Sequence, residues 1–416
     1  MSIPSAPTAL WDFSDADNPL SANGGSGVAL EPATAVPVPW APDATVGGYL
    51  GFAGDGGHLR VPASQAGPLD FGGRSAVSVF ALIRRSGPGV GFIAGLWQEL
   101  DADPRRQYGL FVSLHEYGGA EQVNGHVSSS GGATPGLPYS RDYAATARMV
   151  RPDIWRVVGF RYDGHAITAF LDGIADPRPR FTEQGPPIGQ GLSYPKNPYP
   201  FSGGLFQGAR ADFTVGAVRL TSGIGNAFHG DLARLAIWDR PLTDAEVWRL
   251  TQAWTPPGEP LARFDWWRPI PSPGRLQGGW DGEDWPPAST GWQVTGHHCG
   301  CLKVHPGHLV RRACDHVVEL SMPTPGLALD QIAGFSAQIV ACKGEVELFL
   351  DTSSGRHTTK LPASPARPIA LRMDAPTGPA RPASGESVEQ MGLRFGPSGA
   401  ARLGEVTVLG TTASGD

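Results

Sequence analysis

The chain has 416 residues, 17% of them charged, and a formal net charge of −6. Its 57 Gly and 40 Pro interrupt helices but suit the turns between strands, so long helices are excluded over most of the chain. Lys and Arg are scattered, and apolar runs fall short of the roughly 18 residues that cross a bilayer, so neither nucleic acid nor a membrane is expected as a partner.

The length favours two domains, since a domain usually has roughly 100–200 residues and a β-sandwich up to about 250. A Pro-rich segment predicts a linker at 255–260, between one domain at 1–254 and a second at 261–416. The first residues lack the basic and apolar regions of a secretion signal. The compartment therefore stays open: cytoplasmic as the sequence stands, or secreted if a leader has been removed.

Alternating apolar and polar residues predict strands along the first domain. The clearest pair is joined by Asp163 and Gly164, a dipeptide that favours the tight turn of a β-hairpin. One short helix is predicted at 245–252, because Thr243 and Glu246 form a capping box ahead of it. The predicted strands are 49–52, 58–61, 76–84, 91–96, 108–117, 156–162, 166–171, 213–220 and 232–238.

Five sequence blocks, taken in order, resemble the laminin-G-like and concanavalin-like lectin superfamily, which includes the pentraxins. They are residues 49–62, 76–83, 155–173, 213–217 and 228–247. The resemblance covers about residues 5–252 and implies an all-β fold, a concanavalin-like jelly-roll β-sandwich whose last strand returns to the start of the chain. It also implies that the protein binds glycan or polysaccharide.

The second domain repeats features of the first. Residues 261–266 echo 9–13, and residues 401–409 echo the closing strand at 232–238. Because first and last strands commonly pair in such folds, we expect a second, smaller β-sandwich, of a carbohydrate-binding type. Its five early tryptophans are interpreted as core residues rather than a sugar-binding patch: Trp266, Trp267, Trp280, Trp285 and Trp292.

An insertion at 97–143 holds more polar and aromatic residues than a connection needs, and function often resides in such segments. Aromatic faces stack on sugar rings, and Arg or Asp side chains hydrogen-bond sugar hydroxyls. The predicted ligand-binding residues are Trp97, Tyr117, His126, Tyr139, Arg141, Asp142 and Tyr143.

Three functions remain open: glycan binding, glycan degradation by a polysaccharide lyase or glycoside hydrolase with its cleft at 97–143, and a structural or adhesion role. A lyase needs a base, an acid and a cation near the substrate carboxylate. The candidate catalytic residues are His115, His126, Tyr139, Arg141 and Tyr143. Regular alternation would place His115 and Glu116 on opposite faces of one strand.

Two metal sites are considered. Many relatives have an acidic pair in the last strand where this chain has Ala233 and Arg234, which leaves Asp231 and Asp239 as calcium candidates. No cofactor is required by the sequence, and calcium is allowed.

The second metal hypothesis concerns zinc and draws on a Cys/His-rich stretch at 297–316. Its candidate ligands are Cys299, Cys301, His305, His308 and Cys314. Two other interpretations stay open, a disulfide such as Cys314 with Cys342 and reduced buried thiols. The oligomeric state is not predicted.

Overall fold

A computed structural model describes residues 3–5, 7–208, 210–267, 290–296, 301–305, 307–360, 369–375 and 386–411. The first group of strands comprises β1 (Ala9–Trp11), β2 (Gly24–Gly25), β3 (Glu31–Pro32), β4 (Trp40–Asp43), β5 (Gly47–Ala53), β6 (Leu59–Val61), β7 (Val77–Arg85), β8 (Gly91–Glu99), β9 (Arg105–Leu114), β10 (Gly119–Val127), β11 (Tyr143–Met149), β12 (Trp155–Tyr162), β13 (Ala166–Leu171), β14 (Phe181–Thr182), β15 (Ser193–Tyr194), β16 (Tyr199–Pro200), β17 (Phe213–Val215), β18 (Val218–Leu220), β19 (Gly223–Gly225) and β20 (His229–Trp238).

Helix α1 (Asp244–Trp254) follows β20, and a second group of strands completes the described chain. These strands are β21 (Ala262–Phe264), β22 (Gln293–Gly296), β23 (Leu302–His305), β24 (His308–Arg311), β25 (Val318–Ala328), β26 (Ile332–Lys343), β27 (Val346–Thr352), β28 (Gly355–Lys360), β29 (Ile369–Asp374), β30 (Ser387–Phe395) and β31 (Ala400–Gly410). Among the described residues, no helix is both long and apolar enough to cross a membrane.

Two sheets form the first sandwich, and we name them by what lies on their outer faces. The helix-side sheet has the order β16-β13-β12-β7-β20-β1-β2, with β5 beside β20 and β4 beside β5. The site-side sheet has the order β11-β10-β9-β8-β17-β6-β3, with β18 beside β8 and β19 beside β18. Neighbours along both main paths are antiparallel.

The core lies between these two sheets and follows from alternation along the strands. On β7, Val79 and Ala81 belong to the central apolar cluster. Phe80 and Leu82 belong to a second cluster that includes Leu250 of α1. The helix therefore covers the outer face of the helix-side sheet.

The predicted closure of the first sandwich is confirmed. In β1, Ala9 pairs with Ile237 of β20, so the last strand does return to the start of the chain. Helix α1 begins with the predicted capping box, in which the Thr243 hydroxyl accepts from the Glu246 N–H while the Glu246 side chain accepts from the Thr243 N–H.

Two predicted strands differ from the structure for local reasons. The strand predicted at 108–117 is β9, which ends at Leu114 because Ser113 has a left-handed φ of 66°. The strand predicted at 213–220 is divided into β17 and β18 at Gly216, whose φ is 95°. A Cβ at Gly216 would also lie 2.2 Å from the Phe52 ring, so this position requires glycine.

The second group of strands forms the smaller sandwich that the sequence predicts. One sheet has the order β23-β24-β31-β26-β29 with β21 beside β31, and the other has the order β22-β25-β30-β27-β28. The first and last strands pair in the second sandwich as they do in the first, because Ala262 of β21 pairs with Val408 of β31. The all-β fold with two sandwiches is therefore confirmed.

Two of the three described tryptophans of the second sandwich follow the core interpretation, whereas Trp267 is only half-buried. Trp266 and Trp292 are 3% and 1% exposed, and their rings stack at 5.9 Å. Trp280 and Trp285 lie outside the described residues.

The two sandwiches contact each other through the far face of α1. Trp248 lies in the apolar cluster of the second sandwich and donates its indole N–H to Pro325 O at 3.1 Å. Ile174, which follows β13, lies in the same cluster. Side chains of α1 and of the segment after β13 thus complete the core of the second sandwich.

Buried charges lie beside this contact. Arg156 binds Asp172, with Nη2 2.6 Å from Oδ2, and both side chains are at most 6% exposed. Arg148 binds Asp176 at 2.9 Å and donates from Nη1 to Arg263 O in β21, also at 2.9 Å. Arginine side chains of the first sandwich therefore hold the first strand of the second.

Candidate functional site

The outer face of the site-side sheet carries a row of aromatic side chains. Trp97, Phe111, His126 and Tyr143 come from the neighbouring strands β8, β9, β10 and β11. The His126 ring centroid lies 4.5 Å from Trp97, 6.1 Å from Phe111 and 5.7 Å from Tyr143. We call these four side chains the aromatic row.

Close packing within the aromatic row depends on Gly109. A Cβ there would lie 2.7 Å from the Phe111 ring and 3.1 Å from that of Phe92, so a larger residue would displace both rings. Each member of the row is at most 4% exposed. The predicted contacts Trp97, His126 and Tyr143 thus lie below the surface, where they can support a site but present no ring face to a ligand.

Tyr117, another predicted contact, is also buried, because the β9–β10 hairpin tip bends back over the sheet. The left-handed φ of Ser113 starts the bend. The Tyr117 N–H donates to Tyr143 Oη at 3.1 Å, and that hydroxyl donates to Leu114 O at 2.7 Å. The Tyr117 hydroxyl donates to Ile188 O at 2.5 Å, which fixes a later segment on top of the tip.

A buried lysine holds the aromatic row to that later segment. Lys196 Nζ lies 3.4 Å from the Tyr143 ring centroid and 5.3 Å from that of Tyr199, and it donates to Arg141 O at 3.3 Å. Burial, with the nearby Arg178 guanidinium adding to it, holds the pKa of Lys196 well below its usual range. The side chain therefore joins ring faces and backbone where water is excluded.

The loop at 134–142 leads into β11 and carries the exposed part of the site. Thr134 Oγ1 accepts from the Arg141 N–H at 3.1 Å and donates to Asp142 Oδ2 at 2.5 Å, which closes the loop. Asp142 Oδ1 accepts from the Tyr199 hydroxyl at 2.9 Å. Tyr139, between these anchors, is 50% exposed and presents its ring to solvent.

A buried carboxylate fixes a second loop beside the first. Glu183 Oε1 lies 3.3 Å from Arg141 Nη1 and accepts from the backbone N–H of Gln190 at 3.0 Å. Arg141 Nη1 also lies 3.4 Å from Gln190 Oε1. We name five exposed or half-buried residues of the two loops the rim surface: Tyr139, Ser140, Arg141, Gln190 and Leu192.

The aromatic row and the rim surface are connected through Arg106. Its Nη1 donates to Ser140 Oγ at 2.8 Å, and its Nη2 lies 3.4 Å from Glu99 Oε2. The Trp97 indole N–H donates to Glu99 Oε1 at 2.7 Å. A chain of contacts thus runs from Trp97 through Glu99 and Arg106 to Ser140 and fixes that side chain of the rim surface.

Sequence reasoning missed Lys196 and Glu183. Both lie outside the insertion at 97–143, in a segment rich in proline and glycine. The signal that could have found Lys196 is its position between Tyr194 and Tyr199, which is unusual for a solvated lysine. Nothing local to Glu183 indicates that its carboxylate is buried.

The candidate catalytic groups divide between exposed and buried positions. His115 Nε2 lies 2.9 Å from Glu116 Oε1, so the expectation that these side chains point apart is wrong, since β9 has already ended before them. Burial, with Arg106 nearby, holds the pKa of His126 well below its usual range. Burial also raises the pKa of Tyr143. His126 is therefore neutral and Tyr143 protonated, both away from solvent.

The two calcium candidates lie towards opposite ends of β20. Asp231 is near its start and Asp239 directly follows it, which separates their backbones by roughly 25 Å along a strand. Asp231 Oδ2 binds Arg84 Nε at 2.8 Å, and Asp239 binds Arg74. The proposed pair cannot ligate one ion.

The zinc candidates form two pairs at different ends of the β23–β24 hairpin. Cys301 Sγ lies 3.1 Å from Cys314 Sγ at the open end, while the rings of His305 and His308 stack at 5.7 Å beside the turn. Cys299 lies outside the described residues. Across the described ranges, no group of three or more His, Cys, Asp or Glu side chains could hold a metal ion.

Comparison with known proteins gave matches among solved structures alone, since no protein-family model and no curated protein matches the chain. Domain 4 of AbnA, an extracellular GH43 arabinanase from Geobacillus stearothermophilus, is 17% identical with a TM-score of 0.38, over 59% of this chain and 98% of that one. A mutant Trypanosoma rangeli sialidase displaying trans-sialidase activity is 14% identical with a TM-score of 0.35, over 61% of this chain and 34% of that one.

The CBM40 of the Ruminococcus gnavus IT-sialidase is 12% identical with a TM-score of 0.32, over 48% of this chain and 94% of that one. Sequence identities of 12–17% and TM-scores of 0.32–0.38 carry no argument about function.

Proposed function

We propose that the protein binds glycan at the rim surface, on a first sandwich of the laminin-G-like, concanavalin-like type. The observation that carries the proposal is the half-exposed Tyr139 ring, held on a closed loop beside the Arg141 guanidinium. Because hydrogen bonds from Thr134 close the loop, the ring is held in place with its face open to a sugar.

The rim surface has the chemistry that a sugar requires. An aromatic ring such as that of Tyr139 covers the apolar face of a pyranose, while Ser140, Arg141 and Gln190 offer donors and acceptors for hydroxyl groups. Ser140 and Arg141 are already positioned by Arg106 and Glu183. Little side-chain freedom would be lost on binding, which favours affinity.

Two of the proton-transfer candidates lie where they cannot reach a ligand at the rim surface. His126 and Tyr143 are buried beneath the rim surface and are held in their uncharged forms. A general acid or base must come within hydrogen-bonding reach of the substrate. These two residues instead support the loop that carries Tyr139. Glycan binding at the rim surface, as proposed, uses no cofactor.

The test is a glycan array with the full chain, followed by titration calorimetry of the best glycan against Tyr139→Ala. We expect affinity to fall roughly tenfold or more, because losing a stacked ring costs about 1–3 kcal/mol. Tyr139→Phe should retain most of the affinity, since the ring face is kept.

The matched control is Ile224→Ala. Ile224 is 42% exposed and lies on β19, so its loss changes exposed apolar area away from the rim surface. The same samples are assayed for new reducing ends and for unsaturated-uronate absorbance. Turnover would favour the degrading enzyme, and absence of binding to any glycan would favour the structural or adhesion role.

A further inference from the structure

The Cys/His-rich stretch takes no part in the rim surface, yet it brings two cysteines together. In the β23–β24 hairpin, Leu302 pairs with Arg311, and the Arg312 N–H donates to Cys301 O at 2.8 Å. Cys301 and Cys314 therefore flank the open end of the hairpin. Their Sγ atoms lie 3.1 Å apart.

Both backbones are held, so the two sulfurs stay close. Cys301 is fixed by its bond to Arg312, and Cys314 O accepts from the Ser398 N–H at 2.8 Å in the connection between β30 and β31. A disulfide needs an S–S distance of about 2.05 Å, so the sulfurs must approach by only about 1 Å. Side-chain rotation can supply that movement.

We propose that Cys301 and Cys314 are a redox pair, which forms a disulfide under oxidising conditions and fastens the base of the β23–β24 hairpin. Cys314 is half-buried and Cys301 is 8% exposed, so an oxidant reaches Cys314 more readily. The disulfide would close a short loop containing the hairpin, which restricts the unfolded chain and stabilises the second sandwich.

The reaction is thiol–disulfide exchange with glutathione disulfide as the oxidant. The Cys314 thiolate attacks one glutathione sulfur, the glutathione S–S bond breaks, and one glutathione thiolate leaves. The Cys301 thiolate then attacks Cys314 Sγ, and the second glutathione thiolate leaves. Two protein thiols lose two electrons and two protons, and one glutathione disulfide becomes two glutathione molecules.

Cys342 provides a matched control within the same sandwich. It is 3% exposed on β26, and burial raises the pKa of its thiol, which lowers the fraction of reactive thiolate. Cys314 Sγ lies beside Cys301 Sγ, whereas the alternative disulfide would join Cys314 to Cys342. The two pairings give different cross-linked peptides.

The experiment uses the full chain, reduced, freed of reductant and incubated with glutathione disulfide. Peptide mapping by mass spectrometry under non-reducing conditions should identify a Cys301–Cys314 link with the loss of two hydrogens. Oxidation should raise the Tm of the second sandwich by several degrees in the parent, in Cys299→Ser and in Cys342→Ser. Cys301→Ser and Cys314→Ser should show no such rise.

Any of three results would overturn the proposal. One is a peptide that links either cysteine to Cys299 or Cys342. Another is four titratable thiols after oxidation. The third is stoichiometric zinc in the purified protein that protects both thiols until a chelator removes it.

Discussion

The outer faces of the two sheets in the first sandwich are covered in different ways. On the helix-side sheet, Val247 and Leu250 of α1 pack into an apolar cluster with strand residues. On the site-side sheet, the cover includes the ion pair of Glu183 with Arg141 and the buried Lys196 side chain. Apolar burial stabilises by about 25 cal/mol per Å², whereas buried charge costs desolvation that its partners must offset.

This difference indicates what each cover is for. Covering a sheet with apolar side chains avoids the desolvation free energy that buried charges require. The charged cover on the site-side sheet therefore lowers the stability that an apolar cover would give. Its charges fix the loops that carry Tyr139 and Arg141. We infer that stability comes mainly from the helix-side cover and ligand contact from the site-side cover.

The contact between the sandwiches offers the strongest test, because Arg156 and Asp172 form a buried ion pair beside it. Arg156→Ala would leave the Asp172 carboxylate without its two closest nitrogens, Nε and Nη2. Breaking a buried pair by removing one partner costs about 3–5 kcal/mol. We expect that loss in the free energy of unfolding, measured by urea denaturation followed by tryptophan fluorescence.

The control is Arg151→Ala. Arg151 is 45% exposed and its Nη1 lies 3.7 Å from Asp265 Oδ2, so its removal should change the free energy of unfolding by less than about 1 kcal/mol. Equal losses of unfolding free energy in the two variants would show that the buried Arg156 contributes no more to stability than the exposed Arg151.

A smaller effect is expected on the site-side cover. Arg141→Ala removes the cation opposite Glu183, but that carboxylate keeps backbone donors from Gln190 and Leu192. We expect a loss of about 1–3 kcal/mol in the same urea assay. Adding Glu183→Gln should restore part of it, because a neutral amide needs no counter-charge.

Arg219→Ala is the matched arginine control, since Arg219 is exposed on β18. It should change stability by less than about 0.5 kcal/mol. If Arg141→Ala behaves like Arg219→Ala, the Glu183 carboxylate is not held by Arg141 in solution.

Local sequence patterns predicted much of the helix-side cover. The return of β20 to β1 was implied by the family resemblance, whereas the capping box at Thr243 and Glu246 and the hairpin at Asp163 depend on residues close in sequence. The structure confirms all three.

The site-side cover was predicted only in part, because its contacts join distant segments. The insertion at 97–143 was found, and its residues do meet in the structure. Burial of Tyr143 depends on a segment more than 50 residues away that includes Lys196. Alternation also placed Glu116 on a strand that Ser113 had already ended.

Acid should weaken the site-side cover through His126. Burial lowers the pKa of His126 in the folded state, while the unfolded chain binds the proton with a pKa near about 6.5. Stability is therefore retained above about 6.5 and lost as the pH falls from there towards the folded pKa. The expected loss is at most about 1.4 kcal/mol per pH unit.

Urea denaturation at several pH values between 7 and 5 measures this slope. His126→Phe should flatten it, since the ring stack is kept and the proton site removed. A slope that survives in His126→Phe would assign the acid sensitivity to another group.

The smallest effect on stability is expected at the rim surface itself, although binding there should change most. Tyr139→Ala removes a ring that is 50% exposed, so the free energy of unfolding should change by less than about 0.5 kcal/mol. Tyr143→Phe, only four residues later, should cost about 1 kcal/mol or more, because it removes the hydroxyl that donates to Leu114 O and accepts from the Tyr117 N–H. Thermal and urea unfolding of the two variants side by side measures the contrast. If Tyr139→Ala destabilises as much as Tyr143→Phe, the Tyr139 ring belongs to the buried support, and the rim surface does not hold the ligand.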